Sequence, residues 1–216
     1  ELSTESYLLN FDVQNRHEVE VAFNSLPEAW KSIDVLINNA GNAHGMNAIQ
    51  DGDPADWDAM MHMNVDGLLY VSRMVIPGMI ERASGHIVNL SSTAGKQVYA
   101  NGNVYCASKA AVEALSQGMR LDLNVHGIKV SNVAPGAVNT VSNVAPGAVN
   151  TDFSAVRFKG DLQKAEAVYA GFEPLVAADV ADLIRYIITA PAHVNIADVT
   201  IMPKAQASAT QILRKN

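Results

Sequence analysis

The segment SSTAGKQVYANGNVYCASK, residues 91–109, contains the residues that decide the fold and indicate a chemistry. Tyr105 and Lys109 stand four positions apart at the start of an alanine-rich run, which predicts that both side chains lie on one face of a helix, a turn apart. Ser92 comes just after the apolar run of residues 86–90, which predicts a strand. A hydroxyl at the carboxyl end of a strand, beside such a helix, can hold a substrate oxygen while the tyrosine moves a proton.

These three residue types suit proton transfer. A free tyrosine has a pKa of about 10 and is a poor base at neutral pH. A nearby ammonium favours the phenolate, so we expect Lys109 to lower the pKa of Tyr105 toward the working range. A tyrosine and a lysine at this spacing are, by themselves, typical of an ordinary helix surface. The order strand, Ser92, Tyr105, Lys109, helix is much more specific.

With its Ser-x12-Tyr-x3-Lys spacing, the sequence resembles the classical short-chain dehydrogenase/reductase family. The resemblance implies an α/β fold, a doubly wound parallel sheet of the Rossmann-like type, with the active site at the carboxyl ends of the strands. It implies that Tyr105 is the general base in alcohol oxidation, that Lys109 also binds the cofactor ribose, and that Ser92 orients the substrate oxygen.

Residues 174–208 resemble the branch of that family that oxidises serine, allo-threonine and related 3-hydroxy acids. This resemblance implies hydride transfer between a nicotinamide cofactor and the CH-OH or C=O group of a small 3-hydroxy acid. Resemblance to this branch alone favours NADP. NAD stays possible, because the residues that choose between the two cofactors lie after the missing second strand of the family. The alternatives are a reductase of another small carbonyl compound, or a non-catalytic chain that acts only through oligomer contacts.

The composition of the chain indicates which classes of binding partner are expected. The chain has 216 residues, of which 17% are charged, against about 25% in an average globular domain; this predicts a covered surface and hence a homodimer or homotetramer. A net charge of −7 without a basic run argues against nucleic acid and anionic membranes. Cys106 is the only cysteine, which excludes an internal disulfide and indicates a reducing cytoplasm. No apolar run approaches the roughly 20 residues needed to span a bilayer.

Two predicted strands lead to candidate cofactor contacts. Residues 7–11 read as a buried strand, and residues 33–37 as a second one. The resemblance implies that Asp12 and Val13 contact the adenine; alternatively, Asp12 caps a helix over residues 15–26. Asparagines after the second strand can hold neighbouring strands in register, and small residues there let backbone approach a ligand. The resemblance assigns the cofactor to Asn39, Ala40 and Gly41.

A helix is predicted across residues 57–75, apolar on two faces, with Asn64 as the polar member of one apolar stripe. A buried asparagine must find hydrogen bonds, by breaking the local helix ladder or by holding water. The resemblance implies that Asn64 completes the catalytic group through a water relay; an asparagine at a kink is the alternative.

The sequence predicts no metal site. Residues 51–62 are acidic, but Asp56 and His62 occupy the positions where an EF-hand needs glycine and glutamate. Asp53 followed by Pro54 instead predicts a helix N-cap. The six histidines show no metal-ligand spacing.

A strand predicted at residues 128–134 is followed by a Pro-Gly pair. The resemblance implies that the turn frees backbone groups to face the nicotinamide carboxamide, with Pro135, Gly136, Val138 and Thr140 as contacts. Residues 130–140 are repeated as residues 141–151, through a tandem duplication or a sequence error. If both copies exist, we expect the first to take the sheet position and the second to lengthen the loop over the active site.

Residues 153–169 occupy the place of the family's substrate-covering loop. Arg157 or Lys159 can meet a substrate carboxylate there, although ordinary surface charge is the simpler reading of either one. The family begins with a strand, a Thr-Gly-x3-Gly-x-Gly turn, a helix and a second strand, and none of these precedes residue 7. We therefore expect residues 1–216 to form a single Rossmann-like domain that is incomplete at its N-terminus.

Overall fold

The computed structural model describes residues 4–139 and 153–215. Four parallel strands form its main sheet in the order β1-β2-β3-β6, and β4 pairs with β5 in a small second ladder. The strands are β1 (Val35–Asn38), β2 (Gly85–Leu90), β3 (Ile128–Pro135), β4 (Val138–Asn139), β5 (Leu175–Val176) and β6 (Asp198–Ile201). The helices are α1 (Arg16–Asn24), α2 (Pro54–Met61), α3 (Gly67–Glu81), α4 (Thr93–Lys96), α5 (Asn103–Leu123), α6 (Phe153–Arg157), α7 (Leu162–Ala167) and α8 (Ala177–Ile188).

Helices cover both faces of the sheet. Alternate residues of a strand point to opposite faces. Accordingly, Ile87 of β2 packs in a cluster with residues of α3 and α5, whereas the adjacent Val88 packs in a second cluster with Ile187 of α8. All three of these side chains are buried. Together with the parallel pairing, this arrangement confirms the predicted doubly wound α/β sheet.

The predicted strand at residues 7–11 is wrong for this structure, because this segment forms no strand. Phe11 instead packs edge-on against Phe23 of α1, with the ring centroids 6.0 Å apart. Within the described residues β1 has β2 as its only strand neighbour. A strand needs a hydrogen-bonded neighbour, and the described chain offers none to residues 7–11.

Two local predictions about caps have different outcomes. Asp12 does not cap α1: the N-cap is Asn15, whose side chain accepts hydrogen bonds from the amides of His17 and Glu18. The Asp12 carboxylate instead accepts from the amide of Gln14 in a turn. The cap of α2 is confirmed, because Asp53 accepts from the amide of Ala55 at 3.0 Å and Pro54 is the first helical residue.

The helix predicted across residues 57–75 is interrupted. A π-helical segment, His62–Asp66, separates α2 from α3 and contains Asn64. The side chain of Asn64 is bonded away from its own helix, as described below, and an inserted π turn is a known cause of a local break. None of the helices in the described residues is long and apolar enough to cross a membrane.

Candidate active site

The carboxyl ends of β1, β2 and β3 bring separate parts of the sequence to one edge of the sheet. Asn39, Ala40 and Gly41 follow β1, Ser92 follows β2, and residues 135–138 end β3 and enter β4. Because parallel strands point the same way, their carboxyl ends share one edge, where open α/β sheets bind ligands. Most of the residues predicted for the site therefore lie at this edge, but Thr140 falls outside the described residues.

Helix α5 carries the other two members of the predicted catalytic group, Tyr105 and Lys109. Tyr105 and Lys109 are 8% and 6% exposed. A Cβ on Gly95 of α4 would lie 2.7 Å from the carbonyl oxygen of Lys109, so only glycine permits this close contact between α4 and α5. The hydroxyl of Ser91 also donates to that carbonyl at 3.1 Å. The end of β2 and the start of α5 are thus held together at the site.

The Ser92 hydroxyl affects the pKa of Tyr105. Ser92 is the N-cap of α4, and its Oγ accepts from the amide of Ala94 at 3.1 Å. Burial raises the pKa of Tyr105 well above its ordinary value, and a hydrogen bond with Ser92 opposes that rise. The phenol is consequently protonated at neutral pH in this structure.

Lys109 lies behind Tyr105 on the same helix face. Its Nζ donates to the carbonyl oxygen of Leu90 at 2.9 Å, and burial lowers its pKa to about 8. The expected lowering of the Tyr105 pKa below its ordinary value does not occur here, since burial of the phenol dominates. The Lys109 ammonium is instead hydrogen-bonded to the carbonyl of Leu90 at the end of β2.

Asn64 joins three elements. Its Nδ2 donates to the carbonyl of Asn42 and to Ser108 Oγ, both at 2.9 Å, and its Oδ1 accepts from the amide of Asn42 at 2.8 Å. A Cβ on Gly41 would lie 3.1 Å from Asn64 Oδ1 and 3.2 Å from Lys109 Nζ. Asn64 and Lys109 therefore meet at Gly41. The role of Asn64 in a water relay stays a prediction.

The donor set around Lys109 fits the ribose of a nicotinamide cofactor. An ammonium has three donors, and one of them is used by Leu90. The exposed Asn39 and Ala40 follow β1 at the same edge.

Val13 packs against Gly67 of α3, where a Cβ would lie 2.9 Å from Val13 Cγ2. Asp12 is exposed beside it.

The turn after β3 departs from the expectation that its backbone groups are free. The amide of Gly136 donates to Ile201, and the amide of Ala137 donates to Gln206 Oε1 at 2.8 Å. The carbonyl of Val138 accepts from the hydroxyl of Tyr169 at 2.8 Å. The backbone of Ile201 and the side chains of Gln206 and Tyr169 thus occupy the backbone groups that were expected to face a carboxamide.

Arg157 and Lys159 have different environments. The Arg157 guanidinium lies over the rings of Tyr99 and Tyr105, 5.5 Å from each centroid. Lys159 pairs with Asp56 at 3.0 Å and with Asp53 at 3.7 Å at the surface. Ordinary surface charge thus describes Lys159 but not Arg157.

Sequence reasoning missed several residues of the site. Phe153 packs edge-on against Tyr105 with centroids 5.7 Å apart, and Tyr99, Ser108 and Gln206 contact site residues as described above. Nothing in their local patterns indicates these contacts, which join residues far apart in the sequence.

Within the described residues, no group of three or more His, Cys, Asp or Glu side chains could hold a metal ion. Cys106 is fully buried, as expected of a small packed residue.

Comparisons with known proteins find related dehydrogenases and reductases. The family model described as short chain dehydrogenase matches residues 1–144. The NADP-dependent 3-hydroxy acid dehydrogenase YdfG of Escherichia coli O6:H1 is 43% identical over 209 residues, covering 97% of this chain and 80% of that protein. Sulfoacetaldehyde reductase 2 of Chromohalobacter salexigens is 41% identical, covering 91% of this chain and 74% of that protein.

A solved structure shares the fold closely. The closed form of serine dehydrogenase complexed with NADP+ superposes with a TM-score of 0.85 and 41% identity, covering 95% of this chain and 79% of that one. Serine dehydrogenase from Escherichia coli gives a TM-score of 0.74 and 37% identity, covering 91% of this chain and 76% of that one.

Proposed function

Because the chain belongs to the short chain dehydrogenase family, we propose that it interconverts the alcohol and carbonyl forms of a small 3-hydroxy acid, with NADP as cofactor. The observation that carries the proposal is the buried Tyr105 at the edge where the strands end, with the Ser92 hydroxyl acting on its pKa and Lys109 one turn behind it. The relatives named for 3-hydroxy acids and for serine, one of them complexed with NADP+, support the choice of substrate and cofactor.

In this proposal the protein handles the proton. When bound, the cofactor supplies or accepts the hydride. Ser92 Oγ holds the substrate oxygen beside the Tyr105 hydroxyl. During carbonyl reduction Tyr105 donates its proton to the oxygen as negative charge develops there, and during oxidation it takes the proton back.

The charges at the site favour reduction at neutral pH. The raised pKa of Tyr105 keeps the phenol protonated and ready to donate. Oxidation requires the phenolate, which becomes accessible if the Lys109 ammonium turns from Leu90 toward the phenol. With a pKa of about 8, Lys109 remains largely protonated at pH 7 and can supply that charge.

The test compares Tyr105→Phe with the parent enzyme, using NADPH and a 3-oxo acid. The 216 residues contain no Thr-Gly-x3-Gly-x-Gly turn. Each assay is therefore run on the 216-residue chain and on an extended chain, in which a strand, a glycine turn, a helix and a second strand precede it. We expect turnover by the extended chain and little by the 216 residues, because backbone amides at a glycine turn bind pyrophosphate.

Tyr105→Phe in the extended chain should lose most of the activity while cofactor binding persists, because general acid–base catalysis contributes about 10²–10⁴-fold. Tyr186→Phe is the matched control, since that tyrosine is exposed. A Tyr105→Phe enzyme that kept more than about a tenth of the rate would refute the assignment. An extended parent chain without turnover of any oxo acid would favour a non-catalytic protein.

A second candidate substrate is sulfoacetaldehyde. The reductase from Chromohalobacter salexigens is named for this compound, which carries a sulfonate where an oxo acid carries a carboxylate. Comparing kcat/KM for sulfoacetaldehyde and for a 3-oxo acid in the extended chain separates the two candidates.

The proposal includes a cytoplasmic homodimer or homotetramer. Helix α5 carries an exposed stripe along its outer face, formed by Ala107, Ala110, Ala114, Gln117 and Leu121. Small residues at helical spacing allow two helices to approach closely, and α3 adds the exposed Leu69 and Ile80. The single buried cysteine suits a reducing compartment.

A further inference from the structure

Lys96, the last residue of α4, joins three elements of the fold. Its Nζ donates to Glu113 Oε2 of α5 at 2.9 Å and to Asp198 Oδ1 of β6 at 2.8 Å. These three side chains are called the Lys96 clamp below. Among the ion pairs of residues 4–139 and 153–215, Lys96 supplies the only positive charge to either carboxylate. The proton-transfer steps of the proposed function use none of the three residues.

Water screens the charges of the Lys96 clamp only in part. The side chains of Lys96 and Glu113 are 31% and 11% exposed, and Glu113 Oε1 is buried without a hydrogen-bond partner in the described chain. Burial lowers the pKa of Lys96, but the hydrogen bonds and charges of Asp198 and Glu113 raise it above its ordinary value. The lysine therefore stays charged at neutral pH. Without that charge, two carboxylates that now share one nitrogen would repel each other, and a sheltered carboxylate without a counter-charge is costly.

Helix α4 depends on such contacts for its position. It has four residues, and a helix this short is not stable by itself. Its last two residues lie along successive turns of α5. Gly95 lies against the carbonyl of Lys109, and Lys96 bonds to Glu113, four positions further along α5. The Lys96 clamp thus fixes the carboxyl end of α4 against both α5 and the sheet.

We propose that the Lys96 clamp positions the reacting groups: it fixes α4 against α5 and so holds the Ser92 hydroxyl beside Tyr105. The inference rests on the proposed function and adds Lys96 to it as a positioning residue. Ser92 is the N-cap of α4, only four residues before Lys96, and its hydroxyl acts on the pKa of Tyr105. A displacement of α4 therefore reaches the substrate oxygen, and misplacing a reacting group by about 1 Å can cost about 10²-fold in rate.

The experiment uses Lys96→Met and Lys96→Arg in the extended chain, with NADPH and acetoacetate. Lys96→Met removes the charge, and kcat should fall roughly 10-fold. The dissociation constant of NADPH should stay unchanged, because the candidate cofactor contacts lie on other elements. Lys96→Arg keeps the charge and should recover most of the rate. Lys31→Met, which removes an exposed ion pair with Glu28, is the matched control and should behave like the parent enzyme.

A Ser92→Ala background separates positioning of Ser92 from a general loosening of the site. If Lys96 acts through Ser92, adding Lys96→Met to Ser92→Ala should lower kcat by less than about twofold, because the effects of residues that act as a unit are not additive. A loss by the same factor in both backgrounds would overturn the inference. So would a Lys96→Met enzyme with the parent kcat.

Hydrogen exchange tests the inference without any turnover. The amides of Ala94 and Gln97 are bonded to Ser92 Oγ and to the carbonyl of Thr93. In Lys96→Met the amides of residues 93–97 should exchange at least about tenfold faster, while those of β2 and α8 keep the parent rates. Parent-like exchange in α4, or equal acceleration throughout the chain, would overturn the inference. An extended parent chain that turns over no oxo acid would count against the proposed function alone, and exchange would still decide whether the Lys96 clamp holds α4.

Discussion

Asn64 Nδ2 donates to Ser108 Oγ at 2.9 Å, joining the π-helical segment to α5 one residue before Lys109. Ser108 in turn donates to the carbonyl of Tyr105 at 2.9 Å. Helix α5 is thus tied to an asparagine from another part of the sequence, which is also bonded twice to Asn42.

Asn64→Leu should destabilise the protein by roughly 1–3 kcal/mol, because it removes the partner of the Asn42 amide and carbonyl and the group that donates to Ser108 Oγ. Urea unfolding measures the change. Asn124→Leu, at an exposed site after α5, is the control. Equal stability of Asn64→Leu and the parent protein would show that the π segment is held by apolar packing alone.

Lys109 should make stability increase in alkaline solution. Its pKa is about 8 in the folded protein and 10.5 when exposed, so the unfolded chain retains a proton between these pH values that the folded chain has lost. Stability therefore rises from pH 8 to about pH 10.5, by roughly 1–3 kcal/mol. Lys109→Met should lack this rise in urea unfolding, whereas Lys31→Met should retain it. Parallel pH profiles for parent and Lys109→Met would contradict the assigned pKa.

Burial of His86 should lower the free energy of unfolding in acid. Burial, with a smaller effect of Lys129, lowers its pKa from 6.5 to about 4, and its Nε2 lies 2.8 Å from Ser131 Oγ. Between pH 6.5 and 4 the imidazole of His86 is protonated in the unfolded chain but not in the folded chain, so the free energy of unfolding decreases as the pH falls. His86→Gln should reduce this loss by roughly 1–3 kcal/mol in urea unfolding. The exposed His126→Gln should reproduce the parent profile, and a His86→Gln profile that also does so would exclude His86 as the cause.

The exposed stripe of α5 should be an interface. Ala114→Arg places a long charged side chain in the middle of that stripe and should convert the oligomer to smaller species, because burying an unpaired charge is costly. Light scattering of the extended chain at micromolar concentration measures the mass. Ala178→Arg, on the exposed side of α8, should leave it unchanged. A parent protein that is already a stable monomer would refute the interface.

Local patterns predicted the elements that carry Ser92, Tyr105 and Lys109. The apolar run before Ser92 forms β2, and the alanine-rich run forms α5, within a residue or two of the predicted bounds. The first copy of the repeat also takes the predicted sheet position, since β3 covers the strand predicted at residues 128–134. The second copy, residues 141–151, lies outside the described residues. These predictions worked because periodicity and turn residues act over a few neighbouring positions.

The sequence by itself determined the strand before Ser92 and the shared helix face of Tyr105 and Lys109, because both depend on side-chain periodicity along a short segment. The parallel sheet was expected from the family resemblance. Only the tertiary structure decided the charge states and the partners. It buries Tyr105 so that its pKa rises, directs Lys109 to Leu90, and sets Arg157 over the phenol ring. It also leaves residues 7–11 without a strand neighbour among the described residues. Each of these outcomes depends on desolvation or on contacts between distant segments, and no local pattern in the sequence encodes either.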